Sequence, residues 1–405
     1  MNNVAVIGLG YVGLPLVLAL LKAGKKVVGF DLDNGVVQTL NQGDCHLPLW
    51  EYRVKKEVRS GENASFTTNP EDMSGVDAVI ICVPTPLNSD GNPDHTYVTA
   101  AMKSISELKV LPGIIILEST VSPGYTRDIA NELFGDNLAS NNGVVHVCFS
   151  PEREDPGNEE FTNVEIPKVI GGLTSACLLK GSDLYMEVFD HIVRASSLET
   201  AELCKLHENT FRAVNITYVN QFRDFSAKLG VNFEEVVHLA KSKPFGFMPF
   251  IPGIGVGGHC IPIDPHFLIA VAEKEGIGMP IVRDAMADIS NSAKSTLEWL
   301  KEQKVEGDVL VTGASYKDGI SDTRCSPAIE LIELLSKEFS VSFWDHNVDS
   351  ILINGTEKES LSDSEFRGFT GTIIVVNQSG QSFCEREILS ASVVLDARYR
   401  VELKV

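Results

Sequence analysis

The feature that most constrains the fold is a run of glycines near the amino terminus, Gly8-x-Gly10-x-x-Gly13. The run follows a short apolar stretch, Val4 to Ile7, and opens a helix-length apolar stretch, which indicates strand, turn and helix in succession. In that context the glycines let the backbone turn tightly and approach a pyrophosphate, whose charge then faces the amino terminus of the helix. The pattern therefore predicts a dinucleotide-binding α/β unit.

An acidic residue, Asp31, ends the next apolar run, Val27 to Phe30, at the distance of about 20 residues that this kind of site requires. A carboxylate there binds both hydroxyls of the adenosine ribose and repels a 2′-phosphate, so we expect NAD rather than NADP. The alternative is a glycine-rich turn that binds no nucleotide.

Further short apolar runs at Val76 to Val83, Ile114 to Glu118 and Val144 to Phe149 are separated by helix-length stretches. This alternation predicts a doubly wound parallel sheet. From Ser196 to Leu229 the apolar period becomes that of one long helix, closed by Gly230. A helix of this length usually connects domains or forms a subunit interface.

The strand-helix alternation restarts after Gly307, with a helix from Ser326 to Lys337. The accompanying apolar runs are Val309 to Gly313, Val341 to Trp344, Thr372 to Val376 and Val393 to Asp396. The predicted architecture is an amino-terminal Rossmann domain (1–195), a central helical region with the long connecting helix (196–300) and a carboxyl-terminal Rossmann-like α/β domain (301–405).

The formal net charge of −21 over 405 residues excludes a protein that tracks nucleic acid or an anionic membrane, since either partner would be repelled. No apolar run approaches the roughly 20 residues of a membrane span. The cysteines show no disulfide or zinc spacing, and we expect a cytoplasmic protein with reduced thiols. They are Cys45, Cys82, Cys148, Cys177, Cys204, Cys260, Cys325 and Cys384.

One of these thiols, Cys260, lies in a Gly/Pro-rich loop from Pro244 to Pro265, directly after Gly257-Gly258-His259. The glycines leave the thiol approachable, and His259 or a helix amino terminus would lower its pKa enough for attack on an aldehyde. The alternative is a buried small hydrophobic residue. Beside NAD, a nucleophilic cysteine suggests oxidation of an alcohol to an aldehyde, then a thiohemiacetal, a thioester and an acid.

Such a site also needs a base, a water activator and a group that stabilises oxyanions. Lys205 and Asn209 share one helix face, although a solvated surface explains that spacing equally well. Glu152 and Thr120 follow predicted strands, where α/β sites collect their ligands. Arg324 is a further candidate, with an exposed ion pair as its alternative.

Together these segments resemble the nucleotide-sugar 6-dehydrogenase family, which includes UDP-glucose, GDP-mannose and UDP-N-acetylhexosamine dehydrogenases. The collinear motifs that carry the resemblance are GLGYVGLP (8–15), CVPTP (82–86), ESTVSPG (118–124), SPERE (150–154), KLHEN (205–209), GGHCIPIDP (257–265) and SYKDGISDTR (315–324). The resemblance implies two Rossmann-like domains joined by a long helix that also makes a dimer interface. It implies a homodimer or higher homo-oligomer that binds a UDP-sugar and uses NAD.

The resemblance also implies catalytic roles. Cys260 would be the nucleophile that forms the thioester, while Asp264 and Thr120 would order a catalytic water.

Two further groups complete the implied set. Lys205 and Asn209 would stabilise the alkoxide and thiohemiacetal oxygens, and Glu152 would be the acid/base group of the hydrolytic step.

Binding residues follow from the same resemblance. The cofactor would contact Gly8, Gly10, Tyr11, Val12, Gly13, Asp31, Thr85, Ser119, Thr120 and Arg324. The nucleotide-sugar would contact Glu152, Arg153, Lys205, Asn209, Ile251, Gly253, Gly255, Gly257, Tyr316, Lys317 and Arg398.

The loop sequences Pro244 to Phe250 and His259 to Asp264 look more like the UDP-N-acetylhexosamine branch than the UDP-glucose branch, which usually carries Ser-Cys-Phe-Pro-Lys-Asp. We therefore expect four-electron oxidation at carbon 6 of UDP-N-acetylglucosamine, supplying a precursor of a surface polysaccharide. UDP-N-acetylmannosamine and UDP-glucose are the alternative substrates. The rival classes are a two-electron hydroxyacid-type dehydrogenase and a non-catalytic nucleotide-sugar sensor.

Overall fold

The computed structural model describes residues 1–58, 63–154, 164–317, 319–377, 382 and 390–403. The chain divides into two compact units, of which the first is Met1–Glu208 with His266–Ile277 and the second is Asn209–Pro265 with Gly278–Val405. Cys384 and Asp318, which belong to patterns noted above, lie outside the described residues.

One sheet forms the centre of the first unit. Its described strands are β1 (Asn3–Ile7), β2 (Lys26–Phe30), β3 (Ala64–Thr67), β4 (Ala78–Ile81), β5 (Ile114–Leu117), β6 (His146–Phe149), β7 (Lys168–Gly172) and β8 (Ile192–Arg194). Their order is β3-β2-β1-β4-β5-β6-β7-β8, and all neighbours are parallel except β6 and β7. Every residue of β4 and β5 is buried, because helices cover both faces of such a sheet. The predicted doubly wound sheet is confirmed.

The described α-helices are α1 (Gly13–Lys22), α2 (Asn34–Asn41), α3 (Glu51–Glu57), α4 (Thr96–Ser106), α5 (Tyr125–Phe134), α6 (Ser175–Met186), α7 (Leu198–Lys228), α8 (Phe233–Lys241), α9 (Asp264–Lys274), α10 (Pro280–Ser290), α11 (Ser292–Glu302), α12 (Pro327–Leu335) and α13 (Asp363–Arg367). Helix α7 spans 31 residues and ends before Gly230, whose φ of 68° only glycine adopts readily. No helix within the described ranges is long and apolar enough to cross a membrane.

The second unit contains the smaller α/β sheet. Its described strands are β9 (Val309–Thr312), β10 (Val341–Trp344), β11 (Ser350–Ile353), β12 (Thr356–Glu359), β13 (Thr372–Val375), β14 (Val393–Asp396) and β15 (Val401–Leu403). The order is β10-β9-β13-β14-β15, with only the β14–β15 pair antiparallel, while β11 and β12 form a separate hairpin. The predicted carboxyl-terminal α/β region is confirmed.

The glycine-rich loop ends earlier than the sequence predicts. The loop was expected to reach Pro265, but α9 already begins at Asp264. The backbone N–H of Asp264 donates to the carbonyl oxygen of Cys260 at 2.8 Å, which closes the turn before the helix. A proline is tolerated in the first helical turn because its missing N–H would have no partner there.

Candidate functional site

The glycines after β1 form a cradle of backbone with one open position. A Cβ atom at Gly13 would lie 1.8 Å from the carbonyl oxygen of Gly8, so helix α1 packs directly on the turn. A Cβ atom at Gly10 would meet nothing within 4 Å, which leaves space in front of its backbone. Val12 immediately precedes α1, and the amino terminus of a helix attracts a phosphate. The cradle therefore fits the pyrophosphate of a dinucleotide.

Asp31 closes this cradle at the end of β2. Its carboxylate accepts the N–H of Leu9 at 2.8 Å and the N–H of Asp33 at 2.9 Å. These bonds fix the orientation of the carboxylate. His46, which the sequence did not single out, donates from Nε2 to the Leu9 carbonyl oxygen at 3.0 Å.

Other predicted cofactor residues lie in the same unit. Tyr11 packs edge to face on Trp50, with 5.7 Å between the ring centroids. The Ser119 hydroxyl donates to the carbonyl oxygen of Val83 at 2.8 Å. This bond connects the segment that follows β4 to the segment that follows β5. Thr85 and Thr120 are half-buried close to the ends of the same strands.

Glu152 and Lys205 form a buried pair in the first unit. Lys205 Nζ donates to the backbone carbonyl of Glu152 at 2.6 Å and lies 3.4 Å from its Oε2. The residues are 8% and 6% exposed, so Lys205 does not lie on a solvated helix surface. Burial raises the pKa of Glu152, an effect that the positive charge of Lys205 opposes. Glu152 Oε1 has no hydrogen-bond partner among the described residues. A buried carboxylate oxygen of this kind is available to bind a water molecule or a substrate group.

Arg153 is held by protein groups next to this pair. Its guanidinium pairs with Glu208 on α7 and donates to the carbonyl oxygen of Pro167 at 2.8 Å. The ion pair fastens the segment that carries Glu152 to the helix that carries Lys205. A nucleotide-sugar that bound Arg153, as the sequence predicts, would compete with Glu208.

In the second unit the structure brings Cys260, Asn209 and Asp264 together. Asn209 Nδ2 donates to Asp264 Oδ2 at 2.5 Å, and Asp264 is bonded through its N–H to the Cys260 carbonyl. Asp264 is 2% exposed, whereas Cys260 is exposed. The thiol is therefore approachable, and the buried-hydrophobe alternative does not apply to it.

His259 is one of the two groups that the sequence suggested for lowering the pKa of the Cys260 thiol, the other being a helix amino terminus. Burial lowers the pKa of His259, and the nearby Arg324 guanidinium lowers it further. A lowered pKa disfavours the imidazolium form that would stabilise a thiolate.

The glycine-rich loop packs tightly on the chain between β9 and α12. A Cβ atom at Gly257 would lie 2.5 Å from the Cβ of Tyr316, and one at Gly258, where φ is 80°, would lie 3.1 Å from the same ring. The Gly258 N–H donates to the Arg324 carbonyl oxygen at 3.1 Å. The Arg324 side chain is 45% exposed and forms an ion pair with Asp322, which is the alternative that the sequence left open.

The remaining predicted sugar residues also belong to the second unit. Arg398 is 4% exposed and its Nη2 lies 2.7 Å from Asp396 Oδ2. Ile251 is 71% exposed, while Lys317 is half-buried. A Cβ atom at Gly255 would lie 2.3 Å from the hydroxyl of Ser292, so the loop follows the start of α11 closely.

Sequence reasoning missed two residues that hold this loop, Asn220 and Arg223 on α7. Asn220 Oδ1 accepts the Gly253 N–H at 2.9 Å, and Arg223 donates to the Gly253 carbonyl at 2.9 Å. No sequence signal distinguishes them, because polar residues on a long helix usually face solvent.

Comparison with known proteins identifies the family. The model of the UDP-glucose/GDP-mannose dehydrogenase family, NAD binding domain, matches residues 2–189, and the model of the central domain of the same family matches residues 199–290. These matches agree with the fold and with the dinucleotide cradle described above. The prediction of NAD as the cofactor is confirmed.

Individual relatives are similar over most of the chain. The UDP-N-acetyl-D-mannosamine dehydrogenase of Pyrococcus horikoshii is 36% identical over 341 residues, which cover 82% of this chain and 80% of the relative. The NDP-N-acetyl-D-galactosaminuronic acid dehydrogenase of Ralstonia solanacearum is 30% identical, covering 98% and 96%. The solved structure of the UDP-D-ManNAc dehydrogenase from Pyrococcus horikoshii superposes with a TM-score of 0.85 at 30% identity, covering 99% of this chain and 96% of that one.

Proposed function

The chain belongs to the UDP-glucose/GDP-mannose dehydrogenase family, and from that membership we propose that it oxidises carbon 6 of a UDP-N-acetylhexosamine from alcohol to carboxylate. The observation that carries the proposal is the exposed thiol of Cys260 beside a buried Asp264 that is hydrogen-bonded to Asn209. A two-electron dehydrogenase has no use for such a nucleophile, because an aldehyde or ketone is its final product.

NAD would bind on the first unit, with its pyrophosphate over Gly10 and its adenosine ribose on Asp31. When bound, it supplies the hydride acceptor for each of the two oxidations. The open space at Gly10 and the fixed carboxylate of Asp31 support this placement. The other cofactor contacts we propose are those the resemblance implies, with Tyr11, Thr85 and Thr120 among them.

The proposed covalent chemistry depends on Cys260. Its sulfur adds to the carbonyl carbon of the aldehyde, and the carbonyl oxygen becomes the hydroxyl or alkoxide of a thiohemiacetal. Removal of hydride from that carbon leaves a thioester, which water hydrolyses to the acid with release of the thiol. The Asn209 amide and the Lys205 ammonium, one turn apart on α7, are the donors that would stabilise oxyanions along this sequence.

Hydrolysis of the thioester needs a group that removes a proton from water. Glu152 fits this role because its carboxylate is buried, burial raises its pKa, and its Oε1 has no hydrogen-bond partner among the described residues. Asp264, held by Asn209, would orient the water. Lys205 keeps Glu152 in place and limits the rise of its pKa.

The identity of the sugar is the most specific part of the proposal. The loop sequence favoured UDP-N-acetylglucosamine, but several similar proteins are UDP-N-acetyl-D-mannosamine dehydrogenases, at 32 to 36% identity. They support N-acetylmannosamine better than N-acetylglucosamine, so we propose UDP-N-acetylmannosamine as the preferred substrate. The two sugars differ only in the configuration of carbon 2. An enzyme distinguishes them through the few hydrogen bonds that it makes to the substituent at that carbon.

The experiment that tests the function is the yield of NADH per mole of sugar. Purified protein would be incubated with NAD and, separately, with the UDP derivatives of N-acetylmannosamine, N-acetylglucosamine, N-acetylgalactosamine and glucose. We expect two molecules of NADH per molecule of UDP-N-acetylmannosamine and slower turnover of the others. One NADH per sugar would establish a two-electron dehydrogenase, and binding without turnover would establish a sensor.

A matched pair of cysteine variants tests the thioester step. Cys260 and Cys325 are both exposed, and neither forms a disulfide with another described cysteine. We expect Cys260→Ala to lose acid formation while the protein stays folded, and Cys325→Ala to retain it. Acid formation at the wild-type rate in Cys260→Ala would exclude the thioester mechanism.

We further propose a homodimer in the cytoplasm. Phe211, Tyr218 and Phe225 recur every seven residues on α7 and are 45%, 61% and 57% exposed, which places large apolar groups on one helix face. A second copy would cover them. Light scattering of the purified protein and of Phe225→Glu would test the dimer. None of the seven described cysteines forms a disulfide with another, which supports the cytoplasm.

A further inference from the structure

A buried arginine on α7, Arg223, joins two segments that the proposed function assigns to the nucleotide-sugar. Its Nη1 donates to the carbonyl oxygen of Gly253 at 2.9 Å and to that of Arg398 at 2.7 Å. The residue is 3% exposed, and arginine is rarely buried to this extent unless its donors are paired. The Arg223 Nε also donates to Asp224 Oδ1 at 2.9 Å. The side chain is therefore held by this carboxylate and by the two carbonyl groups, and it restrains both carbonyl groups in turn.

Gly253 is held by α7 from both of its backbone groups. Its N–H donates to Asn220 Oδ1 at 2.9 Å, while its carbonyl accepts from Arg223. Asn220 and Arg223 are three residues apart and so lie on the same helix face. A glycine-rich segment has many accessible conformations, and these bonds select one of them.

The second segment is equally restrained. The Arg398 N–H donates to Asp396 Oδ1 at 2.9 Å, and the Arg398 guanidinium pairs with the same carboxylate. Arg400 donates to the carbonyl oxygen and the hydroxyl of Ser295, at 3.1 Å each. Tyr399 is thus flanked by two restrained residues, Arg398 through its backbone and side chain and Arg400 through its side chain, and Arg223 connects this segment to the glycine-rich loop.

We propose that Arg223 is a positioning residue that fixes the spacing between Gly253 and Arg398 and thereby sets the affinity for the nucleotide-sugar. This inference rests on the proposed function. A site whose parts are already fixed binds its ligand more tightly, because little ordering is required on binding. Arg223 reaches the ligand only through the two segments that it holds.

The test compares Arg223→Met with Arg223→Lys in the full-length protein. Methionine keeps much of the aliphatic volume but removes every donor, whereas lysine keeps a cation that donates to carbonyl oxygens. For Arg223→Met we expect KM for the nucleotide-sugar to rise by about tenfold or more and kcat to change by less than about threefold. Arg223→Lys is expected to recover part of the affinity. The Kd for NAD should remain that of the wild type, since the cofactor residues Gly10 and Asp31 do not depend on this arginine.

Two further sets of variants keep the test decisive. Arg212→Met changes an exposed arginine on the same helix and should leave KM unchanged. Asn220→Asp keeps an acceptor for the Gly253 N–H, while Asn220→Ala removes it. We expect KM to rise in the alanine variant more than in the aspartate variant, and this pair serves as the test if Arg223→Met does not fold.

Two results would overturn the role of Arg223 as a positioning residue, and a third would overturn the proposed function. An unchanged KM in folded Arg223→Met, or in Asn220→Ala where that pair replaces it, overturns the inference. A joint fall of kcat, NAD affinity and Tm without recovery by lysine assigns Arg223 a purely structural role and also overturns it. If the wild-type protein neither binds nor oxidises any UDP-sugar, the proposed function fails instead, and calorimetric titration with UDP alone separates that case from a loss confined to the variants.

Discussion

The two α/β sheets share a strand order and an aspartate that holds the first turn, but the first helix begins at different distances from the first strand. The central order is β2-β1-β4-β5 in the first unit and β10-β9-β13-β14 in the second. In each, an aspartate after the second strand accepts backbone N–H groups from the chain that leaves the first strand. Asp31 accepts from Leu9, and Asp345 accepts from Ala314 at 2.7 Å and Ser315 at 3.1 Å.

The difference lies in how the chain continues from that turn. Helix α1 begins at Gly13, immediately after the glycine turn, whereas residues 313–326 intervene between β9 and α12. The first residue after each strand is crowded, since a Cβ atom at Gly8 would lie 2.6 Å from the Cys82 carbonyl oxygen and one at Gly313 would lie 2.3 Å from the side-chain nitrogen of Asn377. Further along the first turn, a Cβ atom at Gly10 would meet nothing within 4 Å. A shared α/β topology therefore does not by itself decide whether a nucleotide binds, because the position of the helix amino terminus behind the turn also differs.

The largest effect is expected from Gly13→Ala. The new Cβ would lie 1.8 Å from the Gly8 carbonyl oxygen, and backbone atoms cannot move aside as a flexible side chain can. We expect the free energy of unfolding to fall by about 3 kcal/mol and NAD binding to be lost. Urea-induced unfolding and calorimetric titration with NAD measure both. Gly278→Ala, at a glycine with open space around it, should change neither. A wild-type Kd in Gly13→Ala would show that the turn does not need close helix packing.

Removal of the second aspartate should affect stability without affecting the cofactor. Asp345→Ala leaves the N–H groups of Ala314 and Ser315, which are 0% and 7% exposed, without their acceptor. Two unsatisfied buried donors cost about 2 to 3 kcal/mol. We expect that loss in urea unfolding, with an unchanged Kd for NAD. Asp345→Asn keeps one acceptor oxygen and should lose less. A weakened NAD affinity in Asp345→Ala would contradict the division of roles between the two aspartates.

The sequence predicts the buried strands well and the polar ones poorly. The bounds of β10 and β14 agree with the predicted runs, in each of which three of the four residues are apolar. The hairpin of β11 and β12 was missed, since Thr356 to Glu359 has no apolar residue. The antiparallel pairing of β7 beside β6 was also missed. Its short run, ending in two glycines, resembles a turn.

At the site, the residue types could be predicted but their pairings could not. Lys205 contacts Glu152 across 53 residues of chain, and Asn209 contacts Asp264 across 55. No periodicity links positions so far apart. From their spacing alone, Lys205 and Asn209 could therefore equally well have been residues on a solvated helix surface. Arg223 shows the same limit, because its burial follows from two carbonyl groups that come from distant segments.

Gly10→Ala tests the open turn directly. Because a Cβ at this position meets no protein atom within 4 Å, we expect the free energy of unfolding to stay within about 0.5 kcal/mol of the wild type. The methyl group would occupy the space that the pyrophosphate requires, so the Kd for NAD should rise about 30-fold, or about 2 kcal/mol. Calorimetry with NAD and urea unfolding separate the two quantities. If affinity survived, the pyrophosphate would have to lie elsewhere.

The smallest effect is expected from Asp31→Asn. This variant tests whether the first aspartate binds the cofactor in addition to holding the turn. An asparagine oxygen still accepts the Leu9 N–H, so the backbone of the turn should keep its conformation. The ribose diol, however, loses a charged acceptor, and such bonds are about twice as strong as neutral ones. We expect the Kd for NAD to rise about tenfold, or about 1.4 kcal/mol, and the Kd for NADP to fall, because the repulsion of its 2′-phosphate is removed. The ratio of the two constants is the critical measurement. An unchanged ratio would mean that Asp31, like Asp345, serves only to hold its own backbone.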